Sequence, residues 1–174
     1  MSITQQHDAE APAQVFLLPG SLHCAVEPTV VATILGSCVS VCLWDANRRI
    51  GGMNHFVLPR ATGPDADERH GDVSIARLIE RMKRLGSRIE HLRAKVFGGA
   101  NVLPFGSSAM TVGAQNVETA SELLEHHRIP VVARRVGGRR GQKIWLDTQS
   151  GEVTLRRLAH CSECALARNC SGAC

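Results

Sequence analysis

The chain of 174 residues contains no tyrosine, only two tryptophans and only four phenylalanines. Packing therefore falls to Val, Leu, Ile and Ala, and a hydrophobic share of 44% is enough to fill the core of one domain of this length. No apolar run approaches the ~18 residues that read as a membrane span, so contact with a membrane is expected only through a partner. Met1 to Pro12 lack the basic-then-apolar order of a signal peptide. These absences read as a cytoplasmic protein. There the seven cysteines speak for a nucleophile, metal ligands or spare thiols rather than disulfides. The formal charge of +4 is uneven: residues 1–127 carry 11 Lys/Arg against 13 Asp/Glu, and residues 128–174 carry 9 against 3. A basic end of this kind suits an acidic partner or a solvated face. Nucleic acid is not expected, because Trp145 is the one aromatic in that stretch able to stack on a base.

What is present centres on residues 36–56. Gly36-Ser37-Cys38-Val39-Ser40-Val41-Cys42-Leu43-Trp44-Asp45 and Ile50-Gly51-Gly52-Met53-Asn54-His55-Phe56 read as a hairpin around a polar turn. With Asp45 facing Arg48, Cys42 falls opposite Gly51, Ser40 opposite Met53 and Cys38 opposite His55. Opposed residues hold their Cβ atoms about 5 Å apart, so a thiol and an imidazole would meet on rigid backbone. A one-residue slip would turn one of them to the other face. Val39, Val41, Leu43 and Ile50 make one face apolar. The small groups Ser40, Cys42 and Gly51 leave room beside the thiol for another chain.

Around this hairpin, Val15–Leu18, Val30–Leu35, Leu92–Phe97, Ile129–Val136, Lys143–Asp147 and Glu152–Leu158 read as strands. Asp72 is the expected N-cap of a helix carrying Ile75, Ile79, Met82 and Leu85, which Gly86 closes. A second helix is expected over about Gln115 to His127. Gly98-Gly99 is a place where backbone could approach a ligand closely, or simply a tight turn. Two helices among eight or so strands in mixed order predict a layered α/β domain, with mixed sheets forming a sandwich-like core and helices packed outside. Residues 1–13 are read as a loose arm, 14–158 as the domain and 159–174 as a cysteine-rich tail.

Cys24 and Cys42 fit small buried hydrophobes. Cys38 differs, because it follows Gly36-Ser37 where the chain can turn sharply and present amide groups, and His55 is available to take its proton. An adjacent imidazole lowers a thiol's pKa and favours thiolate at neutral pH. Such a pair needs a group to fix the ring tautomer. The Thr33 hydroxyl can do this, although a threonine in a strand also satisfies β-propensity alone. Asn101 is another candidate, and Asn54 a poorer one because alternation aims it away from the His55 face.

Thr33–Asp45 together with Gly51–Pro59 resembles the chemoreceptor glutamine deamidase (CheD) family. Further matches are Lys95–Asn101, Val112–Val117 and Gly141–Thr148. The resemblance runs in order from about Gly20 to Leu158. It implies a cysteine hydrolase of layered α/β fold, shared with deamidating bacterial toxins, with Cys38 as nucleophile, His55 as base and Thr33 as the orienting residue. Gly36, Ser37 and Asn54 are the accompanying candidates for oxyanion and substrate binding. The implied activity converts chemoreceptor glutamines to glutamate, with cleavage of receptor methyl esters in many members and control by a CheC-type phosphatase in some. Ala114-Gln115 departs from the charged pair common at that place. No cofactor is required.

The tail lies outside the match. Cys161, Cys164, Cys170 and Cys174, with His160 in reserve, could supply a four-thiolate zinc site, a redox sensor or an oxidisable extension. Two other kinds of function stand beside the hydrolase: a non-catalytic chemotaxis adaptor binding receptors or the phosphatase, and a metal-binding module whose tail is the working part.

Overall fold

The computed structural model describes residues 11–101 and 110–159. Among these, nine strands and two α-helices follow the order β1 Ala13–Phe16, β2 Ser21–Ala25, β3 Thr29–Leu35, β4 Val39–Asp45, β5 Ile50–His55, α1 Gly71–Arg84, β6 Leu92–Gly98, α2 Val112–His126, β7 Val131–Val136, β8 Gln142–Asp147 and β9 Val153–Arg157. One sheet has the order β1-β3-β8-β9 and the other β2-β5-β4-β6-β7. The β1/β3 and β6/β7 pairs are parallel and the rest antiparallel. Mixed sheets in layers are the architecture expected from the sequence.

Alternation along β4 explains the layering. Val39, Val41 and Leu43 pack with Ile75, Leu78, Ile79 and Met82 of α1 and with Ala120 and Leu124 of α2. Cys42 of β4 and Met53 of β5 face the other way, against Val31, Leu35, Ile144 and Leu146 of the four-stranded sheet. The order is therefore helices, five-stranded sheet, four-stranded sheet. Each fully buried Leu or Ile in these two clusters contributes about 1.5–3 kcal/mol of transfer free energy. The room expected beside the thiol face is filled largely by the chain's own second sheet. A Cβ on Gly51 would stand 2.7 Å from Thr148 Cα.

The β4–β5 register differs from the expected one by two residues. Asp45 pairs with Ile50 and Cys42 with Met53, so the turn holds the four residues Ala46 to Arg49. The Asp45 carboxylate explains the longer loop: Oδ1 accepts the amides of Asn47 at 3.0 Å and Arg48 at 3.3 Å. A shift of two keeps every side chain on its face.

Helix α1 begins at Gly71 with His70 in the N-cap position, not at Asp72. A Cβ on Gly71 would lie 2.7 Å from the Phe56 ring, so the helix starts flush against the end of β5 only because that Cβ is missing. The Asp72 carboxylate instead accepts from the Val73 and Ala61 amides in the first turn, where negative charge is favoured. Gly86 closes the helix at φ 98°, as expected. Helix α2 starts three residues earlier than expected, capped by Thr111, whose hydroxyl accepts the Ala114 amide at 3.2 Å. Ala13, assigned to the arm, is already the first residue of β1. The tail cysteines Cys161, Cys164, Cys170 and Cys174 lie outside the described residues.

Candidate active site

His55 ends β5 on the face toward the four-stranded sheet and is 3% exposed. Across the layer, Thr33 of β3 lies fully buried, with its Oγ1 2.8 Å from His55 Nδ1. The single hydroxyl hydrogen of Thr33 goes to the Leu17 carbonyl at 2.9 Å. Thr33 can therefore only accept from the ring, which puts the imidazole proton on Nδ1. His55 Nε2 is left as an acceptor, buried and without a hydrogen-bond partner among the described residues. Buried polar atoms are rarely left so. Of the three orienting candidates, Thr33 is the one beside the ring. The Asn101 amide bonds to the Gly138 carbonyl at 2.8 Å.

The two-residue register change moves Cys38. Val39 and Phe56 exchange both backbone hydrogen bonds at 3.0 Å, so Cys38 and His55 stand diagonally across that pair rather than face to face. Cys38 is half-buried and packs with the cluster between the sheets. Burial pushes its thiol up, partly opposed by its own backbone amide. Burial holds the His55 imidazole below its ordinary range, partly opposed by the Leu17 carbonyl. Both shifts favour the uncharged forms, the direction opposite to the lowered thiol pKa expected from the sequence. Burial drives Cys24 and Cys42 much further, to about 12, which suits the inert roles expected for them.

The loop carrying the thiol is clamped from behind. The Gly36 carbonyl accepts the Ala100 amide and the Cys38 carbonyl the Gly99 amide, both at 2.8 Å, and the Ser37 carbonyl accepts Asn116 Nδ2 at 3.1 Å. In a planar trans peptide the N–H points opposite the C=O, and no peptide here is cis. With the Gly36 and Ser37 carbonyls drawn inward, the amides of Ser37 and Cys38 point away from those anchors. Neither donates to a backbone carbonyl among the described residues.

Asn116 of α2 was not singled out by the sequence reading. It is fully buried, and its Nδ2 also donates to the Val57 carbonyl at 2.8 Å. One amide group thus ties the residue before Cys38 to the residue two beyond His55. The only sequence signal was its place in the Val112–Val117 motif. Asn54, expected near substrate, is engaged on the helix side: Oδ1 accepts the Val41 amide at 2.8 Å and Nδ2 donates to Ser74 at 3.0 Å. The backbone that Gly98-Gly99 approaches is the protein's own. A Cβ on Gly98 would stand 2.1 Å from the Cys38 carbonyl oxygen, and one on Gly99 2.8 Å from that of Gly113. Among the described residues no three His, Cys, Asp or Glu side chains gather as metal ligands.

Chemically, this site offers a thiol on a rigid turn, an acceptor nitrogen in a fixed tautomer, and two outward amides. Comparison with known proteins bears on the family of the chain. Residues 57–157 match the family described as CheD chemotactic sensory transduction. The chain is 50% identical to a probable chemoreceptor glutamine deamidase CheD of Rhodospirillum rubrum, over 82% of this chain and 81% of that one. It is 46% identical to one of Trichlorobacter lovleyi, over 87% and 95%, and 45% identical to one of Anaeromyxobacter dehalogenans, over 84% and 85%. Among solved structures it is similar to the hypothetical protein YfiH of Bacillus licheniformis, with a TM-score of 0.40 at 19% identity, covering 64% of this chain and 48% of that one. At such identity over nearly the full length of these relatives, the chain belongs to the CheD family.

Proposed function

We propose that this protein is a chemoreceptor glutamine deamidase that hydrolyses glutamine side-chain amides to glutamate, with Cys38 as the nucleophile. The observation that carries the chemistry is the His55 imidazole, held by Thr33 with a free acceptor nitrogen on the layer that Cys38 enters. The substrate class comes from the names of the relatives.

As Cys38 Sγ bonds to the glutamine Cδ, its proton passes to His55 Nε2 and the amide oxygen takes up the negative charge. The outward amides of Ser37 and Cys38 are the donors for that oxyanion, and donors of this kind are worth about 3 kcal/mol each in such steps. The imidazolium then gives its proton to the leaving nitrogen, the C–N bond breaks, and ammonia departs from a thioester. Water, deprotonated by the same Nε2, attacks the thioester and restores the thiol. Burial favours a neutral start for both groups, so proton transfer accompanies attack and need not precede it. A glutamate methyl ester would follow the same course with methanol leaving. In this reading the protein works in the cytoplasm, where a CheC-type phosphatase would govern its access to receptors.

Ammonia release from a purified receptor cytoplasmic fragment tests the proposal. Release by the wild type and none by Cys38→Ala is expected. Receptor binding without ammonia release would make the protein an adaptor instead. Metal analysis of the full chain against one ending at residue 159 tests zinc at the tail cysteines separately.

A further inference from the structure

The described surface has two arginine-rich clefts, and their charge balance separates them. The first, between α1 and the start of β2, sets Arg77, Arg81 and Arg84 beside Glu68 and Glu80. Arg77 pairs with Glu68 and Arg84 with Glu80, so two of its three arginines are already engaged by carboxylates. The second, of about 680 Å³, lies where the edge strands β7 and β9 of the two sheets come together, and Arg134, Arg135, Arg139 and Arg157 are among the residues that line it. Among the described residues no carboxylate lines it. The buried Gln142 forms its floor and ties the sheets together, with Nε2 donating to the Arg135 carbonyl at 3.1 Å.

This cleft adjoins the candidate site through a short chain of backbone bonds. The Gly137 amide donates to the Gly98 carbonyl at 2.9 Å and the Asn101 amide to the Gly138 carbonyl at 2.8 Å. The Gly98–Asn101 loop in turn holds the Gly36 and Cys38 carbonyls. The glycines at 137 and 138, with φ 73° and 85°, let the arginine-bearing loop fold against that segment.

We infer that the cleft is a substrate-recognition site for acidic residues flanking the reactive glutamine, so that the enzyme selects glutamines set in acidic segments of its protein substrate. This rests on the deamidase reading and names its substrate class more closely. Guanidinium groups suit carboxylates because their paired N–H donors match both oxygens. Nucleic acid is the weaker match, because among the described residues no aromatic side chain lines the cleft. The Trp145 ring is already covered by Lys143 and Arg156.

Two glutamine peptides test this, one with flanking Asp and Glu and one with the corresponding Asn and Gln, against wild type and the Arg139→Glu/Arg157→Glu double variant. Fluorescence anisotropy reads binding without requiring turnover, and ammonia release reads kcat/KM. At low salt the wild type is expected to favour the acidic peptide by roughly tenfold, through KM, with the preference shrinking as salt rises. The double variant should lose that preference and still hydrolyse a blocked glutamine dipeptide like the wild type. Equal binding of both peptides by the wild type, a preference that survives in the variant, or tighter binding of a single-stranded oligonucleotide than of the acidic peptide would each overturn the inference. Acidic-peptide preference in binding with no ammonia from any substrate would leave the cleft's role standing and remove only the deamidase reading.

Discussion

Thr33 Oγ1 and His55 Nδ1 meet at 2.8 Å from strands of two different sheets, so the ring's orientation depends on the packing of one layer against the other. The same hydroxyl is anchored to the Leu17 carbonyl. Removing it should therefore harm turnover more than binding. Thr33→Val is expected to lower kcat by roughly 10- to 100-fold with KM little changed, the value of a hydrogen bond to a ring that becomes charged during reaction. Thr33→Ser should retain most activity. Steady-state kinetics of the two variants check this.

The proton inventory predicts the pH profile. The His55 pKa lies below its ordinary value, so the ring stays neutral and competent to lower pH than an ordinary imidazole, and function is lost as pH falls through that lowered pKa. The Cys38 pKa lies above its ordinary value, so alkylation by iodoacetamide should stay slow at neutral pH and rise only in the alkaline range. Fast alkylation at pH 6 would indicate a preformed thiolate–imidazolium pair and contradict the neutral resting state.

Asn116 should act on rate as well as on stability. Asn116→Ala leaves the part-buried Ser37 and Val57 carbonyls without that donor, at about 1 kcal/mol for each. Leu124→Ala, on the same helix and fully buried, should destabilise by about 2–5 kcal/mol through a cavity. Well below both melting temperatures, kcat should fall in the asparagine variant and hold in the leucine one. Thermal melts paired with single-turnover rates separate the two effects.

Gly98→Ala should disable the site through backbone alone. Gly98 sits at φ 107°, and its added Cβ would overlap the Cys38 carbonyl oxygen. The thiol-bearing loop must then shift, so activity should be lost in a protein that retains its circular dichroism spectrum. By contrast, Gly137→Ala meets no atom within 4 Å and carries only the strain of its φ.

Periodicity made the layers legible, because Val39, Val41 and Leu43 alternate with Ser40 and Cys42 along one strand. The shared face of Cys38 and His55 was readable for the same reason, since an error of two in register preserves which face each residue occupies. The turn length was not readable, because it depends on the Asp45 carboxylate gathering amides two and three residues on. Strand β2 went unseen because Ser21 to Ala25 are all half-buried, without the alternation that marks a strand. The closing of the thiol face by a second sheet, and the reach of Asn116 from a helix to two loops, are long-range events. Residues 37 and 116 share no local pattern.

The most direct test is peptide mass mapping of a chemoreceptor fragment after incubation with the wild type or with Cys38→Ala. Particular glutamines should gain the mass of amide-to-acid conversion with the wild type and remain amides with the variant. Conversion that continues without the Cys38 sulfur would contradict the account.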